Sequence, residues 1–118
     1  MLLNLSNHPS ASWSKNQFGA AEKQYGKVAD MSFPAIDPHW GRGEVFRLAE
    51  EYMFRILDFE PMVQTVHLMG ELTFTHILVN MLAEIGIPCI ASTTERHVTL
   101  GPDGSKTSTF RFIAFRSY

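Results

Sequence analysis

The segment Val66–Leu82, VHLMGELTFTHILVNML, decides the fold because a buried strand leads directly into a helix. Its first residues, through Met69, form an almost continuous apolar run, which is typical of a strand covered on both faces. Gly70 and Glu71 stand at the junction, and an apolar helix is expected over Leu72–Ile85. The segment therefore predicts one strand–helix unit of a parallel sheet.

The rest of the chain repeats this alternation. The four parallel strands are predicted at Met1–Leu5, Lys27–Met31, Val63–Met69 and Ile87–Ser92, with helices ending near Tyr25, Leu57 and Ile85. The stretches His97–Leu100 and Thr107–Arg116 flank the turn Gly101–Gly104 and predict an antiparallel hairpin. The order indicates an α/β protein: a Rossmann-like three-layer domain, whose mainly parallel sheet carries a C-terminal antiparallel β-hairpin.

Length and composition limit the function classes. The 118 residues correspond to a single domain, 1–118, of which 45% are hydrophobic and 19% charged. A formal net charge of −2 gives no general attraction to duplex nucleic acid. No apolar run approaches the roughly 18 residues of a membrane span, and no signal peptide is evident, so we expect a cytoplasmic protein. The single cysteine, Cys89, lies in an apolar run and is interpreted as a core residue.

Polar residues follow the predicted strands at the points where the strands end. Because the carboxyl ends of parallel strands share one edge of the sheet, these residues are expected to meet there. The candidates after the first strand are Ser6, Asn7, His8 and Ser10; those after the third are Gly70, Glu71 and Thr73; and those after the fourth are Thr93, Thr94, Arg96 and His97.

The junction after the third strand fits a phosphate. Gly70 permits close approach of the backbone, and the following helix directs unpaired N–H groups to the same place. Glu71 would accept from a ribose hydroxyl or an adenine amino group. The alternative is that Glu71 or Thr73 only caps the helix.

The segment Ser92–His97 is expected to be a loop that recognises a polyanion through its hydroxyls and Arg96. The alternative is a solvated turn into the hairpin. His8 and His97 are candidates for an acid/base pair, against the alternative of histidines that only bond within their turns. His67 and His76 are interpreted as structural. No residues have zinc or iron spacing, so no metal or other cofactor is predicted.

Three stretches carry a resemblance to a known family. The opening LLNLSNHPS, the junction MGELTFT and the segment STTER before the hairpin resemble small CRISPR-associated proteins with a minimal CARF-type Rossmann domain, some of which are ring nucleases. The resemblance covers almost the whole chain. It implies a homodimer that binds a cyclic oligoadenylate across its two-fold axis, with the apolar helix Leu72–Ile85 as part of the interface.

The resemblance also implies a mechanism. Ring nucleases of this type use no metal: a ribose 2′-hydroxyl attacks the adjacent phosphorus and gives a 2′,3′-cyclic phosphate. It implies ligand contacts from Ser6, Asn7, Thr93 and Thr94, stabilisation of the transition state by Arg96, and proton transfer by His8 or His97. Two alternatives stay open: a non-catalytic sensor or sponge for the same nucleotide, and an interaction protein whose polar edge is merely solvated.

Overall fold

A computed structural model describes the whole chain, Met1–Tyr118. Five strands and three α-helices follow one another in the order β1, α1, β2, α2, β3, α3, β4, β5, with a short 3-10 turn at Ser10–Ser12 before α1. The strands are β1 (Leu2–Ser6), β2 (Val28–Asp30), β3 (Thr65–Met69), β4 (Cys89–Leu100) and β5 (Lys106–Ser117). The helices are α1 (Lys15–Tyr25), α2 (Arg42–Leu57) and α3 (Leu72–Glu84).

The strands form one sheet in the order β2-β1-β3-β4-β5. The first four are parallel to one another, and β5 returns antiparallel to β4 as the C-terminal hairpin. The predicted α/β class and mainly parallel sheet are therefore confirmed. No helix has both the length and the apolar character that crossing a membrane requires.

Alternation along the strands divides the core into two parts. Leu3 and Leu5 of β1 face the larger apolar cluster, to which α2 and α3 contribute. Leu2 faces the opposite side and packs with Ala21 of α1 and Ile90 of β4. Because both faces are covered, the central strands consist mostly of buried residues.

The end of the fourth parallel strand differs from the prediction. Ser92–His97 is not a loop: β4 runs without a break from Cys89 to Leu100 and is also the first strand of the hairpin. The prediction was wrong because polar side chains were interpreted as a loop. Two of these residues, Thr93 and Thr94, are β-branched, and an exposed strand accepts polar residues on both of its sides.

The junction after β3 is explained by packing. The Phe33 ring occupies the space that a side chain on Gly70 would need, and the same ring packs edge-to-face on Phe74 of α3. Gly70 is thus required by the core, in addition to any role at the sheet edge. Cys89 is buried as expected, and burial raises the pKa of its thiol to about 12.

Candidate functional site

A cavity of about 770 Å³ opens at the carboxyl edge of the parallel strands, on the face covered by α1. Its walls come from the segment after β1, the approach to α1 and its first turn, the end of β3, and the β4–β5 hairpin. The lining residues are Ser6, Asn7, His8, Ser12, Trp13, Ser14, Gln17, His67, Met69, Gly70, Ser92, Thr94, Phe110 and Phe112.

A row of polar side chains crosses the sheet at the inner end of this cavity. Asp30, Asn4 and His67 occupy paired positions on the neighbouring strands β2, β1 and β3. Paired residues of adjacent strands project from the same face, so the three side chains lie side by side. On β4, Ser92 continues the row through a hydrogen bond to His67, although the residue paired with His67 in the sheet is Ile90.

Asn4 is the central member of this row and is only 1% exposed. Its amide nitrogen donates to the Asp30 carboxylate at 2.8 Å and to the His8 carbonyl at 2.9 Å. Its amide oxygen accepts from the Ser6 hydroxyl at 2.8 Å and from Nδ1 of His67 at 2.9 Å. These four bonds use both donors and both lone pairs of the amide, and they fix its orientation because a carboxylate can only accept.

The orientation of Asn4 determines the tautomer of His67. Because the Asn4 oxygen only accepts, Nδ1 of the imidazole carries the proton, and Nε2 is free to accept. The Ser92 hydroxyl lies 2.7 Å from Nε2 and donates to it, and Oγ of Ser92 in turn accepts from the Gln17 amide at 3.0 Å. Burial and, as the smaller cause, the nearby charge of His8 together lower the pKa of His67 to about 4.

The neutral state of His67 predicts a stability that depends on pH. The pKa falls from 6.5 in an unperturbed histidine to about 4 in the folded protein. As the pH falls through 6.5, the unfolded chain binds a proton that the folded protein does not, so the free energy of unfolding decreases by about 3 kcal/mol by pH 4. Urea denaturation of the wild type and of His67→Gln at a series of pH values measures this difference.

In His67→Gln, most of the decrease in the free energy of unfolding between pH 6.5 and 5 should be absent. This pH range lies above the ordinary pKa values of carboxylates. His76→Gln is the matched control, because His76 is exposed on α3 and its loss should leave the pH dependence unchanged. An unaltered pH dependence in His67→Gln would assign the effect to another group.

Two helix N-termini lie near the sheet edge, and each is capped by the side chain of the residue before it. At α3 the N-terminus is already occupied, since the Glu71 carboxylate accepts from the backbone N–H groups of Thr73 and Phe74. These bonds lower the pKa of Glu71, that from Phe74 contributing most. The capping alternative thus describes Glu71, and α1 is the helix whose first turn borders the cavity, through Ser14 and Gln17.

Aromatic rings form another part of the wall. Trp13 is partly buried and meets the His67 ring edge-on, with ring centroids 5.1 Å apart. Phe110 and Phe112 extend from β5, and Phe110 is 69% exposed. The cavity therefore combines exposed π-faces with hydroxyl and amide groups, a combination that suits planar, polar ligands.

The structure brings together some of the candidates from the sequence and separates others. Those that line the cavity are Ser6, Asn7, His8, Gly70 and Thr94. Ser10 is buried beside the row, where its hydroxyl donates to Asp30 at 2.6 Å. Thr73 donates its hydroxyl to the Glu71 carboxylate, so both residues serve the start of α3 outside the cavity.

The hairpin candidates divide between its two faces. Thr94 and Arg96 pair with Phe112 and Phe110, so Arg96 lies on the face of the hairpin that lines the cavity, although it is not part of the wall. Thr93 and His97 lie on the other face. Thr93 bonds to the backbone of β5, and Nε2 of His97 lies 3.8 Å from the Glu95 carboxylate.

The core of the site is formed by residues that the sequence did not single out as candidates. Asn4, Asp30, Trp13 and Gln17 were not candidates, and His67 was interpreted as structural. A signal was present, because a polar residue inside a buried strand needs a hydrogen-bond partner. Asn4 and His67 occur at matching places in two such strands, which is the pattern of a shared partner.

The fold and the cavity define a Rossmann-like α/β protein with a polar cavity at the carboxyl edge of its sheet. No group of three or more His, Cys, Asp or Glu side chains is placed to hold a metal ion. Residues 1–116 match the model of the family described as "Uncharacterized protein MJ1673 family", and the chain belongs to that family. No curated protein and no solved structure matches the chain.

Proposed function

We propose that this cytoplasmic protein is a metal-independent ring nuclease, a phosphodiesterase that binds and cleaves a cyclic oligoadenylate in CRISPR antiviral defence. The observation that carries the proposal is the cavity, in which stacking surfaces, hydroxyl groups and a helix N-terminus meet. Adenine rings stack on aromatic side chains, ribose groups bond to hydroxyls and amides, and phosphates are favoured at helix N-termini. The resemblance of three stretches to CARF-type proteins supports the same ligand class.

No lysine or arginine is part of the cavity wall. Positive charge that attracts a phosphate therefore has to come from groups at the border of the cavity. In the first turn of α1 the Ser14 hydroxyl caps the N–H of Gln17, which leaves those of Lys15 and Asn16 unpaired, and Arg96 extends from the cavity-facing side of the hairpin. Arg96 has no carboxylate partner, and its guanidinium donates to the Ser108 hydroxyl at 3.0 Å. A phosphate would therefore meet a cation that no ion pair neutralises.

A homodimer completes the proposal, since two facing cavities would hold the two halves of a symmetric ring. Exposed apolar residues on the hairpin and at the C-terminus support contact with a second copy at the hairpin. The hairpin also ends in β5, an edge strand with unpaired backbone groups. The exposed apolar residues are Val98, Leu100, Phe110, Ile113 and Tyr118. We therefore propose the dimer contact at the hairpin, next to the cavity. Helix α3, the element expected at the interface from the sequence, is less suitable because much of it is buried within the chain.

Non-catalytic sequestration of the same nucleotide is the second candidate. It is favoured by the chemistry of the wall, whose titratable side chains are His8 and the neutral His67. A wall of this kind binds through hydroxyls and rings and offers few groups for acid or base catalysis. Binding and cleavage therefore have to be measured separately.

Incubation of the purified protein with cyclic tetra-adenylate in EDTA tests the proposal, with products resolved by mass. We expect linear fragments that end in a 2′,3′-cyclic phosphate, and a rise in Tm on binding. A rise in Tm without products would favour sequestration, and the absence of both effects would overturn both proposals.

Phe110→Ala should weaken binding of cyclic tetra-adenylate by about 5- to 100-fold, the value of one stacked base. Phe54→Ala, another exposed phenylalanine, on α2, is the matched control.

A further inference from the structure

We infer that the Ser92 hydroxyl takes the proton from the attacking ribose hydroxyl and transfers its own proton to His67. This inference rests on the proposed ring-nuclease function and assigns the proton acceptor of that reaction. Ser92 is the catalytic residue, because it lines the cavity, and His67 is a positioning residue that acts through it. Neither His8 nor His97, the histidines expected from the sequence, is needed as the base.

The hydrogen bonds around Ser92 leave one position open to a ligand. A serine hydroxyl has one proton and two lone pairs. The proton is directed to Nε2 of His67 at 2.7 Å, and one lone pair accepts from the Gln17 amide at 3.0 Å. The second lone pair has no partner within the protein, and Ser92 lies in the cavity wall. Ser92 therefore presents an acceptor to the cavity, which suits a ligand that donates a hydroxyl.

His67 cannot serve the ligand directly. The residue is 2% exposed, and its accepting nitrogen is covered by the Ser92 hydroxyl. Its other nitrogen is held by Asn4, whose amide is in turn held by Asp30. The Asn4 amide therefore keeps Nε2 of His67 directed at the Ser92 hydroxyl. It also stabilises positive charge on the imidazole.

The reaction balances as follows. The ribose 2′-oxygen forms a bond to phosphorus while its proton passes to Oγ of Ser92 and the proton of Ser92 passes to Nε2 of His67. The bond from phosphorus to the 5′-oxygen of the next nucleotide breaks, and the departing oxygen takes a proton from water. His67 then returns its proton through Ser92 to water, so the protein ends the cycle unchanged.

The charges around His67 make its proton affinity dependent on the ligand. The ring contacts Trp13 and Phe115, which carry no charge. Two titratable groups are near it: His8, in the segment after β1, and Asp30, which is separated from the ring by the Asn4 side chain. Burial and His8 favour the neutral ring at neutral pH, so Nε2 is available to accept. A bound phosphate has the opposite effect and favours the protonated ring at the moment of transfer.

Kinetics of Ser92→Ala and Ser92→Thr with cyclic tetra-adenylate test the inference. Ser92→Ala should bind the ring within about 5-fold of wild type, because one hydrogen bond is lost, but its kcat should fall by about 10²-fold or more. Ser92→Thr keeps the hydroxyl and should restore most of kcat. Ser32→Ala, an exposed serine outside the cavity wall, is the control and should behave as wild type.

The pH profile separates proton transfer from a purely structural role. In wild type, kcat should decrease on the acid side as His67 of the complex becomes protonated, and this limb should be absent from the residual activity of Ser92→Ala. Wild-type kcat in Ser92→Ala, or an unchanged acid limb, would overturn the inference and leave the proposed function standing. A wild-type protein that does not cleave the ring would overturn both.

Discussion

Replacement of Arg96 by alanine is expected to lower the turnover of cyclic tetra-adenylate by about 10²-fold or more, the loss that follows removal of one charge-stabilising donor. The guanidinium is on the cavity-facing side of the hairpin, beside Phe110, and it has no carboxylate partner. In the proposed reaction, negative charge accumulates on the phosphate oxygens as the 2′-oxygen attacks. A fixed cation at the border of the cavity stabilises that charge more than it stabilises the bound substrate, so kcat should fall more than the affinity.

The hairpin supplies a matched control for this prediction. Arg111 is on the opposite face, paired with Glu95, and its Nη2 lies 4.0 Å from that carboxylate. Arg111→Ala removes the same charge from the same hairpin, but on the side away from the cavity, and should leave kcat near the wild-type value. Both arginines are exposed, so neither change should alter Tm by more than a degree or two.

Arg96→Lys distinguishes charge from geometry. A lysine retains the positive charge but cannot donate two parallel bonds to a phosphate, so it should recover only part of the lost turnover. If Arg96→Ala turns over at the wild-type rate, then Arg96 has no part in the mechanism. The N-terminus of α1 would then be the remaining source of positive potential at the cavity.

The sequence predicted the fold well because the central strands are apolar and the helices are amphipathic. The helix over Arg42–Leu57 buries Val45, Ala49, Tyr52 and Ile56, whose spacing of three or four residues is that of one helix face. The boundary of β4 could not be predicted in this way. An exposed hairpin strand has no buried face to impose a pattern, and Ser92–His97 reads as polar in any conformation.

The site was predictable in its location but only partly in its residues. The rule that parallel strands end at one edge placed Ser6–His8 and Gly70 together, and both line the cavity. The rule says nothing about side chains within the strands. Whether Asn4 and His67 face the same side depends on the register between β1 and β3, which is a property of the assembled sheet.

Glu71 shows why local sequence left two interpretations open. A carboxylate at the start of a helix caps it whether or not a ligand is nearby, and the same residue type suits a ribose hydroxyl. The structure resolves the matter through the hydrogen bonds, since both carboxylate oxygens are engaged by Thr73 and Phe74. Anion binding at this junction would require the cap to be displaced, whereas α1 has no acidic residue in its first turn.

The polar row beneath the cavity has a cost that the rest of the fold must offset. Burial alone would raise the pKa of Asp30, but hydrogen bonds from the Ser10 hydroxyl, the Asn4 amide and the Ser10 N–H lower it below its ordinary value of 3.8. Every member of the row depends on its neighbour, so the row is favourable only when it is complete. A partial row leaves polar groups without water and without partners.

Asn4→Ala is therefore expected to lower the free energy of unfolding by about 4 kcal/mol, at about 1–3 kcal/mol for the one group left unsatisfied and about 1 kcal/mol for each further bond lost. The Nδ1–H of His67 loses its only acceptor, whereas the Ser6 hydroxyl can still donate to the His8 carbonyl and the Asp30 carboxylate still accepts from Ser10. Domains of this size are typically stable by about 5–15 kcal/mol, so the variant should still fold in the cold but unfold at much lower urea concentration. Asn80→Ala on the exposed side of α3 is the matched control and should change stability by less than about 0.5 kcal/mol.

The size of the Asn4 effect tests whether the row is one unit. If each bond acted alone, the loss from the double variant Ser10→Ala with His67→Gln would equal the sum of the losses from its two single changes, since Ser10 bonds to Asp30 and His67 bonds to Asn4. Because Asn4 joins these two ends, the double variant Ser10→Ala with His67→Gln should lose less than the sum of its single changes. Strict additivity, or a loss below about 1 kcal/mol for Asn4→Ala, would mean that Asp30 and His67 are satisfied independently. In that case Asn4 would not fix the tautomer of His67, and the direction of proton transfer at Ser92 would lose its structural basis.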